Sequence, residues 1–224
     1  MNCLQKSLLL LIPSLLLTSS SWALTRENEE ILLDSLVDVI GLKDDCISIG
    51  SGFYYGDDIT VVSVEHILVT PKCGTLTTVI VDTIDKNFSY GATMATGGKD
   101  RPILITVMPN VNKRSSAYLT KRAAHVKRGE KVYIPVIDFD AGTKSIKMCY
   151  VASSSTSSFM IDGKKVTFHM KLVALSHPVK GGSSGSPVVN ENLEVVGVVV
   201  GGTNTTTFLF PVSDIKVGED TNGQ

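Results

Sequence analysis

The sequence predicts an all-β fold, a barrel or sandwich of short strands, and three observations predict it. From residue 46 onward, short runs of at most ten residues rich in Val, Ile, Thr and Phe recur at similar spacing. Turn-forming clusters separate them: Tyr55-Gly56-Asp57-Asp58, Gly97-Gly98, Arg128-Gly129-Glu130, Ala141-Gly142, Asp162-Gly163 and Asn190-Glu191-Asn192. The helical pattern that stands out comes earlier, over residues 26–40.

Met1 to Lys6, an apolar run from Leu8 to Leu17, and Ser21-Trp22-Ala23 fit the three parts of a secretory signal peptide cleaved after Ala23. The apolar run is short for a membrane span and Pro13 interrupts it, so no stable membrane anchor is expected. Cys3 precedes the run, which argues against a lipid-modified cysteine at the cleavage site. In the next segment Ile31, Leu32, Leu36, Val39 and Ile40 fall near one helical face. Glu27, Glu29 and Glu30 lie in the first turn and Gly41 ends the pattern, predicting a short amphipathic helix over 26–40.

Strands are predicted over residues 47–53, 59–64, 75–81, 103–107, 131–137, 146–151, 166–175, 188–189, 195–200 and 207–211. The basic, polar stretch 112–127 is read as a linker, 153–158 as a serine-rich loop and 218–224 as a frayed tail. The chain has 224 residues and a net charge of -1, which favours neither nucleic acid nor an anionic membrane as partner. About 200 residues remain after the leader, enough for one double-layered domain or two small barrels. Export implies an oxidising compartment, and Cys46, Cys73 and Cys149 then predict one disulfide and one free thiol, in any of three pairings. No Cys/His cluster has zinc spacing, and no cofactor is called for.

The chemistry concentrates in Val179-Lys180-Gly181-Gly182-Ser183-Ser184-Gly185-Ser186-Pro187 and the apolar run after it. A serine flanked by glycines can stand exposed on a tight turn, where backbone N–H groups can point at a developing oxyanion. Gly181 to Gly185 also fits the nucleophile elbow of α/β-hydrolases, with Ser183 as nucleophile. That elbow needs a helix after it and a histidine later in the chain. Here Pro187 and a β-like run follow, and the last histidine, His177, lies upstream, so the elbow reading fails. The segment resembles instead the Gly-x-Ser-Gly-x-Pro signature of trypsin-like (chymotrypsin-fold) serine proteases, with Ser184 as nucleophile.

Four histidines could serve as base: His66, His125, His169 and His177. His66 ends the second arm of a hairpin whose first arm is Ile49-Gly50-Ser51-Gly52-Phe53. This pair of arms resembles the Gly-Ser-Gly-Phe hairpin and histidine of the bacterial HtrA and glutamyl endopeptidase branch. His125 in the linker, His169 alternating within a strand and His177 beside Pro178 have ordinary explanations. For the orienting acid, Asp100-Arg101-Pro102-Ile103 best resembles the family's aspartate before an apolar strand, with Asp85 and Asp82 as alternatives. The resemblance spans about residues 46–217 and implies two packed antiparallel β-barrels. The boundaries are then leader 1–23, helix and lead-in 24–45, first barrel and linker 46–127, second barrel 128–217 and tail 218–224.

The resemblance further implies an exported serine endopeptidase, secreted or periplasmic, acting on protein or peptide substrates. Asp100 would orient His66, His66 would take the proton of Ser184, and the N–H groups of Gly182 and Ser184 would form the oxyanion hole, each donor contributing roughly 3 kcal/mol. Val179 and Val199 match the primary pocket, and Val200, Gly201 and Gly202 the edge that pairs with substrate backbone. Two valines predict an apolar pocket for small or aliphatic side chains. Ser183 stands where digestive members carry the aspartate that pairs with a newly cut N-terminus, so no second activating cut is expected. Many members also bridge the histidine hairpin, which points to Cys46 and Cys73, and no PDZ module is expected after Ile215. A catalytically silent relative that binds peptides or a protein through the same cleft is the alternative reading. Oligomeric state is not legible.

Overall fold

A computed structural model describes residues 24–56, 59–83, 89–95, 102–107, 117, 119–122, 124–161 and 163–214. The expected leader, Asp85, Asp100 and the tail from 218 lie outside them. Helix α1 (Arg26–Asp34) starts where Thr25 accepts a hydrogen bond from the Asn28 N–H, with Glu27 and Glu29 in its first turn. It stops six residues sooner than the apolar spacing predicts. Ser35 turns the chain, its hydroxyl donating to the Leu32 carbonyl at 2.8 Å, and residues 36–40 leave the helix. They form the start of β1 (Leu36–Lys43), where Val37 and Val39 enter the barrel interior fully buried. Stiff β-branched side chains on alternate positions suit a strand, and this strand closes the barrel between its neighbours in the sheet.

The first barrel continues with β2 (Cys46–Tyr54), β3 (Thr60–Val64), the two-residue strands β4 (Val69–Thr70) and β5 (Gly74–Thr75), β6 (Thr78–Thr83), β7 (Ser89–Ala95) and β8 (Pro102–Val107). Its closed order is β1-β2-β3-β8-β7-β6. The strand β7 falls in a stretch where sequence predicts none. Val37, Val39, Val61, Val81, Ile103 and Ile105 fill the barrel, each fully buried and each contributing about 1.5–3 kcal/mol.

The second half comprises β9 (Thr120–Lys121), β10 (Lys131–Asp138), β11 (Thr143–Tyr150), β12 (Thr156–Ile161), β13 (Lys164–Leu175), β14 (Pro187–Val189), β15 (Glu194–Gly202) and β16 (Thr207–Pro211). Within the expected linker, β9 pairs in parallel with the start of β15. The sheet runs β11-β10-β14-β15-β16-β13-β12, and a bridge between Val151 and Leu175 curls it closed. Ile134, Val136, Val173, Val188, Val199 and Leu209 belong to its interior cluster. A second cluster fills the first barrel and extends through Tyr133, Leu172, Val198 and Phe208, so it spans both barrels while the second barrel keeps an interior cluster of its own.

The loop expected over 153–158 is half strand: β12 starts at Thr156 and forms a hairpin with the long β13. Phe159 anchors this hairpin against Phe168 and Phe208, with ring centroids 5.8 and 4.7 Å away. Cys46 and Cys73 form a disulfide that ties the β1–β2 turn to the β4–β5 excursion after His66. Cys149 stays free and buried, and burial pushes its thiol up, so it is no ready nucleophile. Replacing Cys46 and Cys73 together by serine is expected to lower stability by about 3–4 kcal/mol in the chain-entropy account of a 27-residue closure. Urea unfolding of the variant and non-reducing peptide mapping of the parent check this; a map pairing Cys149 would contradict it.

Candidate active site

Ser51 holds the loop from Lys180 to Pro187 against the first barrel. Ser51, on β2 and fully buried, donates its N–H to the Ser184 carbonyl at 2.8 Å and its hydroxyl to the Gly182 carbonyl at 2.9 Å. Its own carbonyl accepts from the Ser63 hydroxyl at 2.7 Å. Gly50 marks the same close approach, since a Cβ there would stand 2.2 Å from Ile67 Cδ1 and 3.1 Å from the Ser184 oxygen. The one-turn 3-10 helix Glu65–Ile67, carrying His66, and the loop carrying Ser184 therefore meet across Gly50. This contact explains Gly50 and Ser51 of the Gly-Ser-Gly-Phe arm, whereas Gly52 is kept small by the barrel interior, where a Cβ would stand 2.7 Å from Val39 Cγ2.

Within the loop the backbone donors fall into two groups. The Ser183 N–H donates to the Lys180 carbonyl, Gly185 to Val199 and Ser186 to Ser183. Among the described residues, the N–H groups of Gly182 and Ser184 donate to no protein acceptor. Gly182 has φ of 89° and Gly185 of 90°, conformations that side chains other than glycine rarely adopt. Ser184 is half-buried, whereas Ser183 and Ser186 are buried with hydroxyl oxygens that lack partners. Exposure thus differs between the two adjacent serines.

A cleft of about 330 Å³ is bounded by His66 on one side and by Val200, Gly201 and Gly202 of β15 on another, and no residue of the Lys180–Pro187 loop lines it. Its third wall is the β12–β13 hairpin, with Phe168, His169 and Met170. Sequence reasoning missed this wall; the alternation along β13 shows a strand but not which cleft it borders. His125 and His177 are exposed, and the His177 carbonyl accepts from the Thr207 hydroxyl at 2.7 Å. Val199 is fully buried in the second-barrel core with Leu209, and Val179 packs on that cluster. Asp82 sits in β6, three strands from β3 in either direction around the barrel, with Asp38 as its register partner. Among the described residues no group of His, Cys, Asp and Glu could hold a metal ion.

Residues 112–213 match a family model described as Peptidase S7, Flavivirus NS3 serine protease, over just under half the chain. Among solved structures, the active form of the Rv3671c protease from M. tuberculosis is similar with TM-score 0.64 and 19% identity, covering 84% of this chain and 81% of its own. The MamO protease domain from Magnetospirillum magneticum gives TM-score 0.59 and 17% identity, over 82% of this chain and 94% of its own. The HtrA-type protease AlgW, solved with a tripeptide, gives TM-score 0.61 and 12% identity, over 81% of this chain and 57% of its own. None of the curated proteins compared by sequence matches. The chain has the trypsin-like, double-barrel serine protease fold.

Proposed function

We propose that this trypsin-like chain is a serine endopeptidase that cleaves peptide bonds through an acyl-enzyme on Ser184. The observation that carries the reading is the strapped loop, which meets the one-turn helix of His66 across Gly50, with Ser184 half-buried and, among the described residues, the N–H groups of Gly182 and Ser184 unspent. His66 takes the hydroxyl proton as Ser184 Oγ bonds to the substrate carbonyl carbon. The two N–H groups receive the negative oxygen. As the C–N bond breaks, His66 returns the proton to the leaving amine, and water then releases the acyl group by the same steps in reverse.

Asp100 is the proposed orienting acid. The β3–β8 register runs from Thr60 with Thr106 to Val64 with Pro102. His66 stands two residues after Val64 and Asp100 two before Pro102. Asp82, on the opposite strand of the barrel, has no comparable route to His66.

Substrate backbone would run along Val200 to Gly202, with the preceding side chains in the cleft under the β12–β13 hairpin. The proposed primary pocket is apolar at its base, where Val179 packs on the core cluster that holds the fully buried Val199, and neither valine lines the cleft itself. Burying an unpaired Lys, Arg or Glu there would cost several kcal/mol. The Cys46–Cys73 disulfide suits an oxidising compartment, which supports export to the periplasm or beyond. Among the described residues no helix is long and apolar enough to cross a membrane.

A fluorophosphonate probe is expected to label Ser184, and a mixed peptide library to be cut after Val, Ala or Leu. The double replacement Val199→His and Val179→Thr is expected to shift cleavage toward Glu, since both residues can donate to a carboxylate. No labelling would overturn the endopeptidase reading. Dominant cleavage after Arg, Lys or Glu by the parent protein would overturn the pocket.

A further inference from the structure

The turn joining β10 to β11 also touches the loop that Ser51 holds, at Lys180 and Gly182. Asp138, the last residue of β10, accepts the Ala141 N–H on Oδ1 at 3.2 Å, which folds the turn back. Its other oxygen accepts from Lys180 Nζ at 2.5 Å, and Lys180 begins the run to Gly182. This pairing, with the Ala141 bond, holds the Asp138 carboxyl below the usual range and raises the Lys180 ammonium. Next to it Phe139 covers Gly182: a Cβ at Gly182 would stand 2.3 Å from Phe139 Cε2 and 2.7 Å from Cδ2. Phe139 is 38% exposed and belongs to neither core cluster. Barrel packing therefore does not account for a large apolar ring at this position.

We propose that the Asp138–Phe139 turn is a latch that keeps the Gly182 N–H aimed at the substrate oxyanion, with Phe139, Asp138 and Lys180 as positioning residues. The proposal rests on the endopeptidase reading. A glycine at positive φ borders peptides that can flip at small cost, and a flip that turns the Gly182 N–H away removes one of two donors. Ser51 fixes the Gly182 carbonyl, which belongs to the peptide after Gly182. Phe139 packs where a Gly182 Cβ would stand, and the ion pair holds Lys180, two residues before it. With both flanks held, the 181–182 peptide that carries the Gly182 N–H is left one orientation. The latch acts on the transition state and not on ground-state binding, because the oxyanion exists only after attack.

Phe139→Ala is expected to lower kcat about 10–100-fold with KM within about 2-fold, since the loss is a misaimed donor and not a deleted one. Affinity for a peptide aldehyde, which forms a tetrahedral adduct on Ser184, should fall by the same factor, while binding of the cleaved product stays unchanged. Phe139→Tyr keeps the ring and is expected to recover most of the rate. Lys180→Glu places like charges together and should lower kcat in parallel, and Lys180→Arg should recover it. Thermal melting of each variant separates these effects from unfolding, and the exposure of Phe139 favours intact folding.

A parent that labels with fluorophosphonate, together with a Phe139→Ala variant matching it in kcat and aldehyde affinity, overturns the latch alone. Equal loss in kcat and in product binding also overturns it. A parent that neither labels nor cleaves overturns the endopeptidase reading, and the latch falls with it.

Discussion

Ser184→Ala is expected to abolish peptide hydrolysis and fluorophosphonate labelling, a fall on the order of a million-fold, while the fold stays intact. The neighbouring change, Ser183→Ala, is expected to keep substantial activity. The structural grounds for the contrast are specific. Ser184 is fixed through its carbonyl, which the Ser51 N–H holds at 2.8 Å, so deleting the hydroxyl disturbs no strut. Ser183 is 1% exposed and its hydroxyl has no partner. Removing an unsatisfied buried hydroxyl is neutral to stabilising by about 1 kcal/mol. Circular dichroism and melting of both variants, alongside hydrolysis rates, decide the matter. Equal loss of activity from the two changes, without unfolding, would overturn the assignment of the nucleophile.

Gly185→Ala is expected to cost about 3 kcal/mol or more and to remove activity with it. A Cβ at Gly185 would stand 1.8 Å from the Ser51 carbonyl oxygen and 2.7 Å from the Ser63 hydroxyl. Neither atom can yield cheaply. The first is strand backbone, and the second already donates to that same carbonyl. Relief requires the loop to lift off β2, which breaks both Ser51 bonds to it. Gly181→Ala is the control, because open space surrounds that position and its stability should stay within about 0.5 kcal/mol. Urea unfolding of the pair measures the difference; a Gly185→Ala protein as stable as the parent would contradict the packing described.

What the sequence made legible follows from where the determining atoms lie. The Gly182 to Pro187 run and the Gly50 to Phe53 arm were readable because each demand falls on consecutive residues: a turn, a small side chain at a close approach, a strand start. The disulfide was readable only through family resemblance, since spacing alone allowed three pairings. The helix end was misplaced because Leu36, Val39 and Ile40 satisfy a helical stripe while Val37 and Val39 also satisfy strand alternation. Pairing with β2 and β6 decides between them, and that pairing is tertiary. The strand β7 reads Ser-Tyr-Gly-Ala-Thr-Met-Ala, too weakly patterned to stand out without its neighbours. The cleft wall at Phe168 to Met170 and the Phe139 contact with Gly182 were hidden for the same reason, since both arise from parts of the chain that meet only once it is folded.

The Ser51 strap also sets a timetable. It joins residues 131 positions apart, Ser51 on the first barrel and Gly182 on the second. Such distant contacts close late, after the local hairpins on either side have formed. An exported chain emerges N-terminus first, and early segments begin folding before later ones arrive. On the endopeptidase reading, a chain that has emerged with its first barrel complete therefore holds the proposed base His66 and no nucleophile at all. The serine arrives with the second barrel, and its loop takes shape only on docking. On the endopeptidase reading, hydrolytic competence is thus the last property the molecule acquires, so its own unfolded segments are already buried by the time it can cut.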